Sequence, residues 1–164
     1  MLHRSAARGF ALLLLLLSGA GPGGCSAGRE VAVRTLGGGL QCGGASAGTS
    51  ARRLVSSAEL AEALSRGLGA APILPPVNWG TEAVVLVSAG QRSSAGYGVE
   101  LVSQKAPVRE GAAAVRVALS SPPAGAMTAQ VMTSPCLVVA MPRQGLLAVA
   151  VLDGERPIAT VKLD

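Results

Sequence analysis

The second half of the chain alternates apolar and polar residues, which is the pattern of β-strands with one buried face. Val115 and Val117 point to one side of such a strand, and Arg116 points to the other. Strands are predicted over residues 83–87, 97–104, 112–119, 136–141, 146–152 and 157–163. Asp153-Gly154-Glu155-Arg156 is predicted to join the last two strands as a hairpin, because Asp-Gly is a favoured turn pair.

One further strand is predicted before these, over residues 30–36. Val31, Val33 and Thr35 would lie on one of its faces. Residues 37–50 follow and are rich in Gly, Ala and Ser. Such a composition buries little apolar surface, so this stretch is predicted to be a flexible loop with Cys42 as its one anchor.

A single helix is predicted within residues 52–69. Ser56 can cap it, and Glu59 three residues later completes the capping-box pattern. Leu60, Leu64 and Leu68 recur every four residues and form one apolar stripe. Since no strand alternates with a helix, the elements predict a mainly β (α+β) fold: an antiparallel β-sandwich or half-barrel packed by one N-terminal helix.

Residues 1–24 have the three parts of a secretory signal peptide. Two arginines precede an unbroken apolar run over residues 10–17, which is too short to cross a bilayer, and small residues follow it. Gly23-Gly24-Cys25 then has the form of a lipoprotein signal, in which Cys25 is lipidated and becomes the new N-terminus. The alternative is ordinary cleavage after Ala20 or Ala27.

Either way of cutting the leader predicts an exported protein. Lipidation of Cys25 would give a membrane-anchored lipoprotein of the cell envelope, and ordinary cleavage would give a secreted or periplasmic soluble protein. The predicted organisation is a signal peptide over residues 1–24, a tether with the first strand and the Gly-rich loop over residues 25–50, and a β-rich domain over residues 51–164.

Composition then removes several classes of function. His3 is the only histidine and lies in the leader, so Ser-His-Asp catalysis, Cys-His catalysis and His-ligated zinc sites are not expected. Twelve bases and nine acids after the leader leave a net charge of +3, with no basic stripe. Trp79 and Tyr97 are the only aromatic residues there, so nucleic acid is not an expected partner. The sequence predicts no enzyme, no catalytic residue, no metal site and no cofactor.

Three cysteines allow two interpretations. If Cys25 carries a lipid, Cys42 and Cys136 remain as an even number of thiols in an oxidising compartment, which predicts a disulfide between them. The alternative is two unpaired cysteines, with Cys136 as a small buried residue of a strand.

Residues 90–98 are the most distinctive local stretch. A phosphate-binding loop does not fit, because no lysine follows the glycines, and Ser93 and Ser94 have no histidine to activate them. One interpretation is a hairpin loop in which Gly90 and Gly96 take positive φ and Tyr97 anchors the next strand. The other is a loop presented to a partner protein, formed by Ser93, Ser94, Ala95, Gly96 and Tyr97. A competing prediction is that a partner binds the edge strand over residues 157–163.

Several motifs together resemble one family. Ser94-Ala95-Gly96-Tyr97 followed by Val99-Glu100-Leu101 resembles the Thr-Gly-Gly-Tyr-x-(Val/Ile)-Glu-Ile core of PrcB-like, protease-complex-associated C-terminal domains. Three further segments follow the family's order: Val77-Asn78-Trp79 with Glu82, Pro122-Pro123, and residues 132–143. The resemblance covers about residues 73–143. Ser94 and Ala95 replace Thr and Gly, and Cys136 stands where the family has an aromatic residue.

The resemblance implies a small, exported, β-rich protein, often a lipoprotein, whose namesake supports a cell-surface protease complex. It implies no catalytic residue. The expected function is therefore non-enzymatic binding or stabilisation of an exported partner, such as a surface protease complex. The alternative is a protease inhibitor, because residues 93–97 are also similar to the Thr-Thr-Gly-Tyr loop of chagasin-like cysteine-protease inhibitors.

Overall fold

The computed structural model describes residues 28–42, 47–68 and 73–164. The predicted signal peptide and Cys25 lie outside the described residues. The elements, in chain order, are β1 (Glu30–Ala32), β2 (Arg34–Gly39), β3 (Ser50–Leu54), α1 (Ser57–Leu68), β4 (Glu82–Ser88), β5 (Gly98–Leu101), β6 (Lys105–Arg109), β7 (Ala112–Ser120), β8 (Cys136–Pro142), β9 (Ala148–Asp153) and β10 (Arg156–Lys162).

The strands form two sheets that pack face to face. One has six strands in the order β1-β6-β7-β9-β10, with β5 also paired to β7, and the other has the order β2-β8-β4-β3. Side chains from both sheets share one buried core, to which Val85, Val139, Val115 and Val151 contribute. Of the described pairings, β7 with β9 is parallel and the rest are antiparallel. The prediction of a mainly β fold, a sandwich packed by one helix, is confirmed.

Two neighbouring strands, β4 and β8, are buried on both faces. Their inward residues join the core between the sheets, whereas Val84, Leu86 and Val138 face α1 on the outside. The helix covers them with its stripe of Leu60 and Leu64. This double burial explains why both strands are continuous apolar runs instead of alternating ones.

The helix begins as its sequence predicts. The backbone N–H of Glu59 donates to Ser56 Oγ (3.2 Å), and the Glu59 carboxylate accepts the backbone N–H of Val55 (3.1 Å). The first bond satisfies a donor that the start of a helix leaves without an intrahelical partner, and the second ties the residue before the cap to the first turn. Arg52 and Arg53, however, belong to β3, which the sequence analysis missed because two consecutive arginines hide the alternation.

The N-terminal segment departs most from expectation. The predicted strand over residues 30–36 is two strands, because the chain leaves β1 in one sheet at Val33 and enters β2 in the other. A register shift between Thr35 and Gly37 leaves Thr35 exposed and buries Leu36, against the predicted face. The predicted boundary at residue 50 therefore cuts β1 and β2 away from the sheets to which they are hydrogen-bonded, so residues 30–39 are no tether.

The composition of residues 37–50 predicted a flexible loop, but residues 37–39 belong to strand β2. They pair with the first residues of β8, where the backbone of β2 lies very close to its neighbour. A Cβ added at Gly38 would lie 2.6 Å from the carbonyl oxygen of Cys136, and one added at Gly37 would lie 3.0 Å from a methyl of Leu64. Close packing therefore requires a glycine at Gly38, where the nearest atom is backbone, and leaves little space at Gly37.

A second missed strand, β6, contains Pro107, which obscured its pattern. It joins β7 through Glu110 and Gly111, whose φ values of 51° and 79° are those of a type I′ hairpin turn. At the other end of the sheet, Asp153 pairs with Arg156 across Gly154 and Glu155, so the predicted final hairpin is confirmed.

Gly38→Ala should destabilise the fold, because its methyl group would meet backbone that cannot rotate away. We expect a loss of roughly 1–3 kcal/mol in the free energy of unfolding, measured by urea denaturation. Gly28→Ala is the matched control, since nothing lies within 4 Å of an added Cβ there. Equal stability of the two variants would contradict the close approach of β2 to β8.

Candidate functional site

Two loops meet at one end of the sandwich, which we call the loop end. There β4 and β7 finish and β5 and β8 begin. The loop over residues 89–97 leaves β4 in the four-stranded sheet and enters β5 in the six-stranded sheet, so it crosses between the sheets and is not the predicted hairpin loop. The second loop, residues 121–135, returns from β7 to β8.

Hydrogen bonds join the two loops directly. Arg92 and Thr133 exchange both backbone bonds, at 2.7 and 2.8 Å, as an antiparallel bridge. The N–H of Ala95 donates to the carbonyl of Ala129 (3.0 Å), and the Thr133 hydroxyl donates to the carbonyl of Ser94 (3.0 Å). Buried Thr133 thus holds the predicted partner-binding loop at Ser94 and at Arg92 just before it.

Glycine conformation shapes both ends of the first loop. Gly90 and Gly96 have φ values of 82° and 95°, as the sequence predicted. Between them, the Arg92 guanidinium lies over the Tyr97 ring, 5.1 Å from its centroid, and also donates to the carbonyl of Ala89 (2.7 Å). Tyr97 is half-buried, so its ring anchors the loop and keeps one side accessible.

The two loops present an apolar and hydroxyl-bearing surface. Ser93 is exposed, whereas Ser94 and Ala95 are half-buried. Beside them lie exposed apolar side chains of the second loop: Met127 (100% exposed), Val131 (50%) and Met132 (54%). Neither loop contains an acidic residue, and Arg92 is the one charged residue in the two. We call this surface, formed by Ser93–Tyr97 and Met127–Met132, the loop surface.

The sequence analysis missed the second half of the loop surface. Residues 124–131 carry no motif, and single apolar residues between small polar ones predict nothing about exposure. The signal that could have found them is Thr133, a polar residue next to a buried strand whose hydroxyl needs a partner.

A disulfide lies below the loop surface. Cys42 and Cys136 are bonded, with their Cα atoms 5.7 Å apart, within the range that a disulfide requires. Gln41 forms a parallel bridge with Ser134, and the N–H of Cys42 donates to the carbonyl of Ser134 (3.2 Å). The bond therefore ties the segment after β2 to the end of the second loop, where β8 begins.

The carboxylate of Glu82, at the opposite end of β4, accepts several hydrogen bonds. Burial raises the pKa of Glu82, but a bond from the Asn78 backbone N–H (2.8 Å) and the paired Arg34 guanidinium (2.9 Å) outweigh it, so the pKa lies below its ordinary value. These contacts close the turn that carries Val77-Asn78-Trp79, which gives this motif a structural role.

Among the described residues, no group of three or more His, Cys, Asp and Glu side chains is placed to hold a metal ion. The helix that the structure describes is not long and apolar enough to cross a membrane.

The fold and the loop end together define a two-layer β-sandwich module with one preformed loop surface. Residues 83–142, from β4 to β8, match the family described as PrcB C-terminal, and this match supports a PrcB-like C-terminal domain in this part of the chain. The match contains both loops of the loop surface and leaves β1–β3, α1, β9 and β10 outside. No curated protein and no solved structure gives a significant match.

The unreduced protein should contain no free thiol at Cys42 or Cys136. Titration of the denatured Cys25→Ser protein with a thiol reagent measures this directly, and two free thiols would contradict the bond. Because the bond joins residues 94 positions apart, its reduction should lower the free energy of unfolding by about 4.7 kcal/mol in the chain-entropy account. A Cys42→Ser/Cys136→Ser protein should be insensitive to reductant.

Proposed function

We propose that this chain is a non-enzymatic exported protein, anchored by a lipid on Cys25, that binds and stabilises another exported protein through the loop surface. The observation that supports this most directly is the hydrogen bonding between the two loops. It holds apolar and hydroxyl-bearing side chains in one arrangement before any partner arrives.

A preformed surface lowers the cost of binding, because little side-chain and loop freedom is lost on association. Exposed methionines add contact area that adapts to a partner's shape, and clustered exposed apolar groups are uncommon on a protein without a partner. The half-buried Tyr97 next to them offers an amphipathic ring, a side chain that often carries binding energy.

The edge strand β10 is a less suitable location for the partner. Pro157 has no N–H to offer an incoming strand, and the carbonyl of Leu163 just after β10 already accepts the guanidinium of Arg53 (2.8 Å). These contacts leave a shorter free edge than the sequence alone suggests.

The chagasin-like alternative requires a loop that enters a protease cleft. Ser94 and Ala95 are half-buried and bonded to the second loop, which supports a broad contact surface over a protruding tip. The purified protein can be assayed against papain-like enzymes. Inhibition that is lost in the Ser93→Arg variant would favour the function of a protease inhibitor.

Ser93→Arg and Met132→Arg should abolish partner binding without unfolding the protein, because both side chains are exposed. Affinity capture after cross-linking in intact cells, followed by mass spectrometry, measures the recovered partner, which should fall about tenfold or more. Thr160→Arg, an exposed position on β10, is the matched control and should have no effect. Loss of the partner with Thr160→Arg alone would move the site to the edge strand.

Cys25→Ser should release the protein from the membrane fraction into the soluble fraction, because the lipid would be its membrane anchor. Intact mass measurement of the wild type should show a diacylated N-terminal cysteine. A wild-type N-terminus at Gly21 or Gly28 would contradict lipidation and leave the loop-surface proposal standing.

A further inference from the structure

The described part of the chain begins at the end opposite the loop end. Glu30 of β1 pairs with Pro107, next to the β6–β7 turn, and β1 runs from there towards the loop end. The connection between β8 and β9 and the last residue of β10 lie at the same end, because Lys162 pairs with Ala148. We call this the anchor end.

Basic side chains gather at the anchor end, and within the described part of the chain four of them have no carboxylate partner. Arg29 donates to the carbonyls of Gln144 and Gly145, and Arg143 donates to the carbonyl of Leu163 (3.4 Å). Since these acceptors are uncharged, the positive charges remain uncompensated. Arg109 and Lys162 are exposed in addition.

The acidic residues at this end do not cancel the charge. Glu30 faces Lys105 (3.8 Å) and Glu82 pairs with Arg34, while Glu110 and Asp164 are exposed. The middle of the outer face and the β9–β10 turn are balanced in contrast, since Arg116 pairs with Glu155 (3.4 Å) and Arg156 pairs with Asp153 (3.2 Å). The net positive charge of the domain is therefore concentrated at the anchor end.

A leucine protrudes among these cations. Leu147 is 71% exposed, and its backbone N–H donates to the carbonyl of Gly111 (2.8 Å) in the β6–β7 turn. A Cβ at Gly111 would lie 2.9 Å from Leu147 Cγ, so the glycine leaves the space in which this side chain rests. An apolar tip within a basic rim suits the boundary between lipid headgroups and acyl chains.

Covalent length restricts which end can meet a membrane. Glu30 is five residues from Cys25, which spans at most about 17 Å of extended chain. The seven residues of β4 already separate the two ends by about 20 Å. A lipid on Cys25 can therefore bring the anchor end to the bilayer, while the loop end lies on the far side of the domain.

We propose that the anchor end, formed by Arg29, Arg109, Arg143, Leu147 and Lys162, binds anionic phospholipid headgroups and holds the loop surface away from the membrane. The orientation rests on the lipid anchor of the proposed function, whereas the binding of headgroups by these side chains does not. Each basic residue near an anionic bilayer adds to the attraction, which salt weakens.

The Cys25→Ser protein tests the headgroup contact without the lipid. It should sediment with vesicles of phosphatidylglycerol and phosphatidylcholine, bind pure phosphatidylcholine far less, and dissociate as salt rises. Arg109→Glu/Lys162→Glu should weaken binding about tenfold or more. Arg116→Glu/Arg156→Glu makes the same charge change in the middle of the outer face and at the β9–β10 turn, and should weaken binding much less.

Absence of vesicle binding, or equal loss in both double variants, would overturn the proposal, and the cations would then be assigned to an acidic protein partner. Partner capture through the loop surface should be unchanged in Arg109→Glu/Lys162→Glu. Partner capture with the Ser93→Arg variant tests the proposed function, and vesicle binding tests the headgroup contact. The failure of one proposal can therefore be distinguished from the failure of the other.

Orientation is measured on the lipidated protein in anionic vesicles that contain brominated acyl chains. Tryptophan fluorescence of Leu147→Trp should be quenched, and that of Met127→Trp at the loop end should not. Both variants are made in a Trp79→Phe background, because Trp79 lies just before β4 on the anchor-end side. Quenching of Met127→Trp alone, or of neither variant, would overturn the proposed orientation.

Discussion

The structure depends on the burial of β4 and β8 on both faces. An apolar strand that is covered on one side only would leave Val84, Leu86 and Val138 in water, so the fold needs a layer on each side. The six-stranded sheet provides one layer and α1 provides the other. The path of the N-terminal segment follows from this, because β2 and β3 extend the sheet on either side of the buried pair.

Sequence reasoning recovered the parts of the fold that local patterns encode. The alternation in β7, the hairpin at Gly154 and the cap at Ser56 are visible in a few consecutive residues, and each is present. The elements it missed are set by distant neighbours. Gly38 is a strand residue because it pairs with β8 close to the carbonyl of Cys136. The composition of residues 37–50 does not reveal this distant neighbour.

The candidate site divides in the same way. Its first loop could be predicted, because Gly90, Gly96 and Tyr97 have strong conformational preferences. Its second loop could not, since the pairing of Arg92 with Thr133 joins segments about forty residues apart. The same long-range closure brings Cys42 to Cys136, so one end of the sandwich is defined almost entirely by contacts between distant parts of the chain.

The direction of β1 has a mechanical consequence. Its hydrogen bonds to β6 run across the strand axis, and Arg29 leaves along that axis. A pull on the N-terminal segment, opposed by a partner held at the far end, would therefore act lengthwise as shear. All the bonds of a ladder share such a force and must yield together, whereas a sideways pull would open them one at a time. In the proposed arrangement, a force between the lipid on Cys25 and a partner at the loop end would therefore load the β1–β6 ladder in shear.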